Sequence, residues 1–129
     1  MALRVELVSP ERILFSGEAE MVVCRTDGGE IAFLTGHAPF LGSLGIGIVR
    51  IHLEGGGEVV KAAVHEGFVE VKDNRVIILS DVAELPDHID EDRARRAAED
   101  AERRLLNGDD AEAEAQLRRA HVRLELAGH

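Results

Sequence analysis

Apolar and polar residues alternate with period two along roughly the first two thirds of the chain. Leu3, Val5 and Leu7 alternate with Arg4 and Glu6; Val49, Ile51 and Leu53 with Arg50 and His52; Val69 and Val71 with Glu70 and Lys72. This alternation marks strands with one buried face. Asp27-Gly28-Gly29, Gly55-Gly56-Gly57 and Asp73-Asn74 punctuate the runs and predict tight turns, because glycine supplies the positive φ that such turns need. Gly45-Ile46-Gly47 falls among strands and predicts a bend or bulge. Val76 to Leu79 is apolar at every position and predicts a strand lying centrally, covered on both faces. Short strands in close succession, with no helical stretch between them, point to an antiparallel sandwich or barrel.

After Pro86 the period becomes helical. Asp90 is placed to cap a helix, and Glu91 and Asp92 lie in its first turn, where the helix dipole favours negative charge. Ala94, Ala97, Ala98, Ala101 and Leu105 then share one face. Asn107-Gly108 stops that helix, Asp109 and Asp110 restart the chain, and Ala113, Leu117, Ala120 and Leu124 form a second stripe. A short polar connection makes the two helices antiparallel. The predicted fold is α+β: an N-terminal antiparallel β-sandwich over residues 1–86, followed by a C-terminal antiparallel two-helix hairpin over residues 87–129. A stripe built mainly of alanine buries little apolar surface, ~0.8 kcal/mol per methyl against ~1.5–3 for a leucine. The hairpin is therefore expected to dock weakly enough to leave its partner surface, as a switch must. The plainer reading is that alanine and arginine are simply good helix formers.

Composition narrows the functional classes. Hydrophobic residues make up 45% of the chain, enough for a core. A net charge of −10 and an aromatic content of 3% argue against nucleic acid as a partner, and the charge disfavours adsorption to an anionic lipid surface. A single cysteine, Cys24, cannot pair within the chain and suits a reducing compartment. The opening residues have no apolar signal-type stretch, and no apolar run approaches the ~18 residues of a membrane helix. Any membrane association is expected through other proteins.

Catalytic and metal chemistry are not indicated. No phosphate-cradling G-x-x-x-x-G-K-[ST] loop and no G-x-S-x-G elbow occurs. His37, His52, His65, His88, His121 and His129 show no metal-ligand spacing. Cys24 lies in a strand pattern with only Arg25 as a basic neighbour, which fits a core thiol better than a nucleophile.

One segment carries a resemblance. Gly29-Glu30-Ile31-Ala32-Phe33-Leu34-Thr35-Gly36-His37-Ala38-Pro39 is similar to the G-E-[LI]-G-I-L-P-G-H-A-P signature of epsilon subunits of the rotary proton-translocating ATP synthase. It departs at Ala32, Phe33 and Thr35 and keeps Gly-His-Ala-Pro. Ser9-Pro10-Glu11 and Phe15-Ser16-Gly17 resemble that family's first hairpin, Glu66 to Val71 its G-G-[FI]-[LV]-E-V strand, and Val76 to Asp81 its V-T-I-L-A-[DE] strand. The resemblance implies a non-catalytic rotor subunit with a β-sandwich and a helical hairpin. It implies partners as well: the gamma subunit, the c-subunit ring and the catalytic alpha/beta head, at the cytoplasmic face of the cell membrane. Glu30 would face the c ring and His37 the gamma subunit; the alternative is a solvated turn acid and a loop histidine packed beside Pro39.

The resemblance also implies a nucleotide site. ATP-binding members carry [IL]-D-x-x-R-A at the start of the first C-terminal helix, and Ile89, Asp90, Arg93 and Ala94 match it. Arg119 and Arg123 match two further arginines on the second helix, and Glu84 an acid just before the hairpin. No cofactor is implied as a requirement; ATP would be a regulatory ligand. Asp100 departs, standing where nucleotide binders place a basic residue, and opposes tight ATP binding. Every positive charge after Pro86 is arginine, whose planar fork grips phosphate; solvated arginine-rich faces are the alternative. The expected function is a rotor subunit with the hairpin as a brake on ATP hydrolysis. A free-standing ATP-sensing module and a small β-domain enzyme are the competing classes, and the missing catalytic constellation disfavours the last.

Overall fold

A computed structural model describes residues 2–128; the expectation for His129 lies outside them. Seven strands come first: β1 (Leu3–Val8), β2 (Ile13–Thr26), β3 (Gly29–Leu34), β4 (Phe40–Leu53), β5 (Val59–Lys72), β6 (Arg75–Leu79) and the short β7 (Ala83–Glu84). A 3-10 turn at Pro86–His88 leads to α1 (Glu91–Leu105) and α2 (Ala111–Ala127).

The sheet closes on itself. The strands run β1-β6-β5-β4-β2-β3, and β1 also pairs with β2. All pairs are antiparallel except β1 with β6, where Val5 stands opposite Val76 in parallel register. That single parallel contact joins strands remote in sequence, as a parallel pair requires. The 14-residue strands β2, β4 and β5 are long enough to serve both layers. The bend predicted at Gly45-Ile46-Gly47 is there. Between β2 and β4 the register jumps from Val23↔Arg50 to Thr26↔Leu44. On β5 the matching bend puts Glu66 at φ 67°. The β5–β6 turn holds Asp73 at φ 51° and Asn74 at φ 60°, the left-handed pair that a type I′ hairpin needs.

Leu3, Val5, Leu7, Val22, Cys24, Phe33, Ile51, Val69, Val71, Val76 and Ile78 fill the space between the layers, in keeping with the period-two pattern. Burial there pushes the Cys24 thiol up to about 12, so at neutral pH it is protonated and inert. The expectation for β6 needs correction. The strand is central in the pairing, flanked by β1 and β5, but only Val76 and Ile78 point inward, and Leu79 is 51% exposed. Its outer face is apolar without being covered.

In the hairpin Asp90 accepts a bond from the Arg93 amide at 3.0 Å and Asp110 one from the Ala113 amide at 3.0 Å, so both helices begin on the expected aspartates. Ala94, Ala98 and Ala101 of α1 and Ala113 and Ala120 of α2 are buried. Small residues on both sides let the helices approach closely. The amide of Gln116 crosses between them, donating to the Ala97 carbonyl at 2.9 Å and accepting from Arg104 at 3.0 Å.

Candidate functional site

The hairpin meets the sandwich through α2, which packs over β4 and β5. Ile48 and Ala63 are opposite each other across β4 and β5 and face outward beneath the helix, where Leu126 seats on them with Val122 and Ile89 at the margin. Leu126 is 1% exposed and is the apolar anchor of the junction. It lies off the alanine stripe that faces α1, and period alone did not single it out.

Beside this anchor is a cluster of polar groups. Arg123 Nε of α2 donates to Glu84 Oε1 at 2.7 Å, and His65 Nε2 of β5 lies 2.9 Å from the same oxygen. Burial works against ionisation of Glu84, but hydrogen bonds from His65 and Arg123 outweigh it and hold the carboxyl below its usual range. Glu84 is therefore a carboxylate bridging β7, β5 and α2. Arg119, one helical turn before Arg123, pairs with Glu112 at 2.9 Å. It also overlooks a cleft of about 640 Å³ lined by His65, Glu66, Asp27 and Asp81. On the other side of β7, Arg12 Nη2 reaches His88 Nδ1 at 2.8 Å, tying the first hairpin loop to the 3-10 turn.

The residues singled out from the sequence distribute as follows. Glu84 and Arg123 are brought together, and Arg119 stands beside them. Asp90 serves as the cap of α1, Ile89 packs on the Leu126 cluster, and Ala94 is buried in the hairpin. Arg93 is exposed on α1. Asp100 accepts from Gln116 at 3.4 Å and pairs with Arg103 at 3.5 Å. His65 was missed: nothing but its place two residues after Ala63 hinted that it lies under α2. Glu30 lies near the start of β3, and His37 follows its end by three residues. Glu30 is exposed and pairs with Arg50 at 3.3 Å. His37 is half-buried, with its ring edge-on to Phe33 at 4.9 Å between centroids.

Two family models cover almost the whole chain. Residues 2–86 match the beta-sandwich domain of the ATP synthase delta/epsilon chain, and residues 87–128 match its long alpha-helix domain. The chain belongs to the ATP synthase delta/epsilon chain family. Among similar chains, the ATP synthase epsilon chain of Streptomyces griseus is 48% identical over 95% of this chain and 92% of its own length. That of Thermobifida fusca is 46% identical over 97% and 91%. Among solved structures, a chain of the OSCP/F1/c-ring assembly of Euglena gracilis mitochondrial ATP synthase superposes with a TM-score of 0.84 at 26% identity. That match covers 99% of this chain and 82% of the other. A chain of the central stalk/c-ring of the Tetrahymena thermophila enzyme shares the fold at a TM-score of 0.65 and 14% identity, over 99% and 95% of the two chains. Delta/epsilon chains are non-catalytic subunits of the complex. Among the described residues no helix is long and apolar enough to cross a membrane.

Proposed function

We propose that this delta/epsilon-family chain is a central-stalk rotor subunit that couples c-ring rotation to ATP synthesis and brakes ATP hydrolysis with its helical hairpin. The observation that carries the reading is the slightness of the junction: one leucine, one shared carboxylate and a few half-buried side chains hold α2 to the sandwich. Such a contact fixes the hairpin yet releases it at moderate cost. The sandwich offers a surface for a stalk partner of gamma type, since Val8, Leu79 and Phe68 stand in register on its outer face and Phe68 is 56% exposed. In this reading Glu30 faces the c ring and His37 the gamma subunit. The hairpin, once released, presents Arg95, Arg96, Arg103, Arg104, Arg118, Arg119 and Arg123 to the catalytic alpha/beta head. The chain then sits peripherally at the cytoplasmic face of the membrane, held there by its partners.

A regulatory ATP site belongs to the same reading, with Glu84, Ile89, Asp90, Arg93, Ala94, Arg119 and Arg123 as its residues. Arg119 and Arg123 now serve Glu112 and Glu84, so phosphate would have to take them from carboxylates of this chain. Together with Asp100 this favours weak binding.

Truncation after Asp87 tests the brake. The shortened chain should fold, bind gamma, and raise ATP hydrolysis by the reconstituted complex. Unchanged hydrolysis would reject the brake, and failure to bind gamma would reject the rotor role.

A further inference from the structure

Two histidines flank β7 at the joint between sandwich and hairpin, and both present a bare Nδ1 while the hairpin is docked. The His65 side chain is 3% exposed, on the Ala63 side of β5 and so beneath α2. Glu84, being ionised, can only accept, so His65 Nε2 carries the proton. In the neutral ring His65 Nδ1 is then a lone pair, sealed from solvent and without a partner among the described residues. At His88 the logic runs through Arg12, whose guanidinium only donates; the Nδ1 that it meets at 2.8 Å must be bare as well.

We propose that these two histidines make docking of the hairpin proton-sensitive, so that a proton on either Nδ1 weakens closure and favours the released hairpin. Protonated His65 would bury an N–H with no acceptor. Its positive charge would lie against an oxygen already bonded to Arg123, with Arg119 across the cleft. Asp27, Glu66 and Asp81 line that cleft too, but they are exposed, and water screens them. Protonated His88 would lose its bond from Arg12 and repel it, while Glu11, Asp81 and Glu84 share its cleft and Asp87 adjoins it. The 3-10 turn that carries His88 also touches α2, so loosening the turn loosens the helix. With α2 lifted away, the His65 ring reaches water, as the exposed His88 ring does already.

The inference rests on the releasable hairpin proposed above, and the two can fail separately. Nitrogen NMR of the imidazoles in the full chain at pH 8 should find both rings as the Nε2–H tautomer. Methyl resonances of Ala63 and Leu126 report docking, and those of Val69 report sandwich integrity. Between pH 8 and pH 5.5 the released fraction should rise about tenfold, the size expected for a buried N–H left without an acceptor. The His65→Gln/His88→Asn variant keeps a donor for Glu84 and an acceptor for Arg12 without titrating, and should stay docked throughout. If it is undocked at pH 8, His88→Asn alone carries the comparison and should show a reduced response. An Nδ1–H tautomer at either ring, docking that is indifferent to pH or tighter in acid, or a full wild-type response in the variants would overturn the proposal. Docking that follows pH while truncation leaves hydrolysis unchanged would remove the brake and leave the proton-sensitive joint standing.

Discussion

Replacing Leu126 with alanine should release the hairpin while leaving the sandwich folded. Leu126 is the one large side chain of α2 that is fully buried, and its floor is no more than Ile48 and Ala63. Leucine-to-alanine changes in cores cost about 2–5 kcal/mol. The low end, ~2–3 kcal/mol, applies here because a helix at a surface can settle into the gap. Against this, the Glu84–Arg123 pair is about a quarter exposed on each side, and after solvent screening it contributes only ~1 kcal/mol. The leucine therefore holds the hairpin more strongly than the ion pair does, and its loss shifts the docked-to-released ratio by about thirtyfold or more. Hydrogen exchange read by NMR checks this. Amides of α1 and α2 should lose protection together, while Val22, Val69 and Val76 in the sandwich keep theirs. Leu126→Met, which nearly conserves volume, should cost less than ~1.5 kcal/mol and remain docked. Unchanged helix protection in Leu126→Ala would mean that the anchor lies elsewhere, and loss of sandwich protection would mean that the two parts fold as one unit.

Three further outcomes follow from other positions. Gly67 has φ +146°, and a Cβ there would overlap the Leu79 carbonyl oxygen and come within 2.9 Å of Ser80 Cα; because both are backbone atoms, Gly67→Ala should cost several kcal/mol (~3, of the order of other strained sites), seen as a lower urea midpoint, and a cost below ~1 kcal/mol would refute the close approach. Glu84 is held below its ordinary value of 4.5, so its contribution to docking is complete above that pH and is lost as pH falls through the lower folded value; Glu84→Gln should abolish that acid limb of a docking titration, and an unaltered limb would assign it to another carboxylate. Under the ATP-site reading, Asp100→Arg should tighten ATP binding by about tenfold and Arg93→Ala should abolish it in calorimetry, whereas two variants that bind like the parent would leave the motif as a helix start only.

Much of the architecture was legible because its causes are local. Alternation at Leu3-Val5-Leu7 and Val69-Val71 assigned the buried face, and Asp90 and Asp110 declared both helix starts through a bond to an amide three residues on. The junction was not legible in the same way. Leu126, His65 and Glu84 come together from three elements, and no period within any one of them encodes that meeting. Ile77 and Leu79 misled for a related reason: an apolar outer face and an apolar inner face look alike along a strand. The candidate nucleotide residues were read from a motif, and Asp90, Ile89 and Ala94 each already have a structural task in the folded hairpin.

The parallel pairing of β1 with β6 has a consequence for the order in which the protein is made. β1 leaves the ribosome first and can pair with β2 almost at once through a short turn, but its second edge has no neighbour until Val76 has been synthesised. At ~5–20 residues per second that interval lasts several seconds. Throughout it, a row of backbone donors and acceptors on that edge is open to any passing strand. Arg4 and Glu6, charged on the outward face, discourage such encounters. Closure is the act of β6, a strand of five residues that emerges after all the long ones, and α2, whose floor lies on β4 and β5, has a finished surface to land on only afterwards.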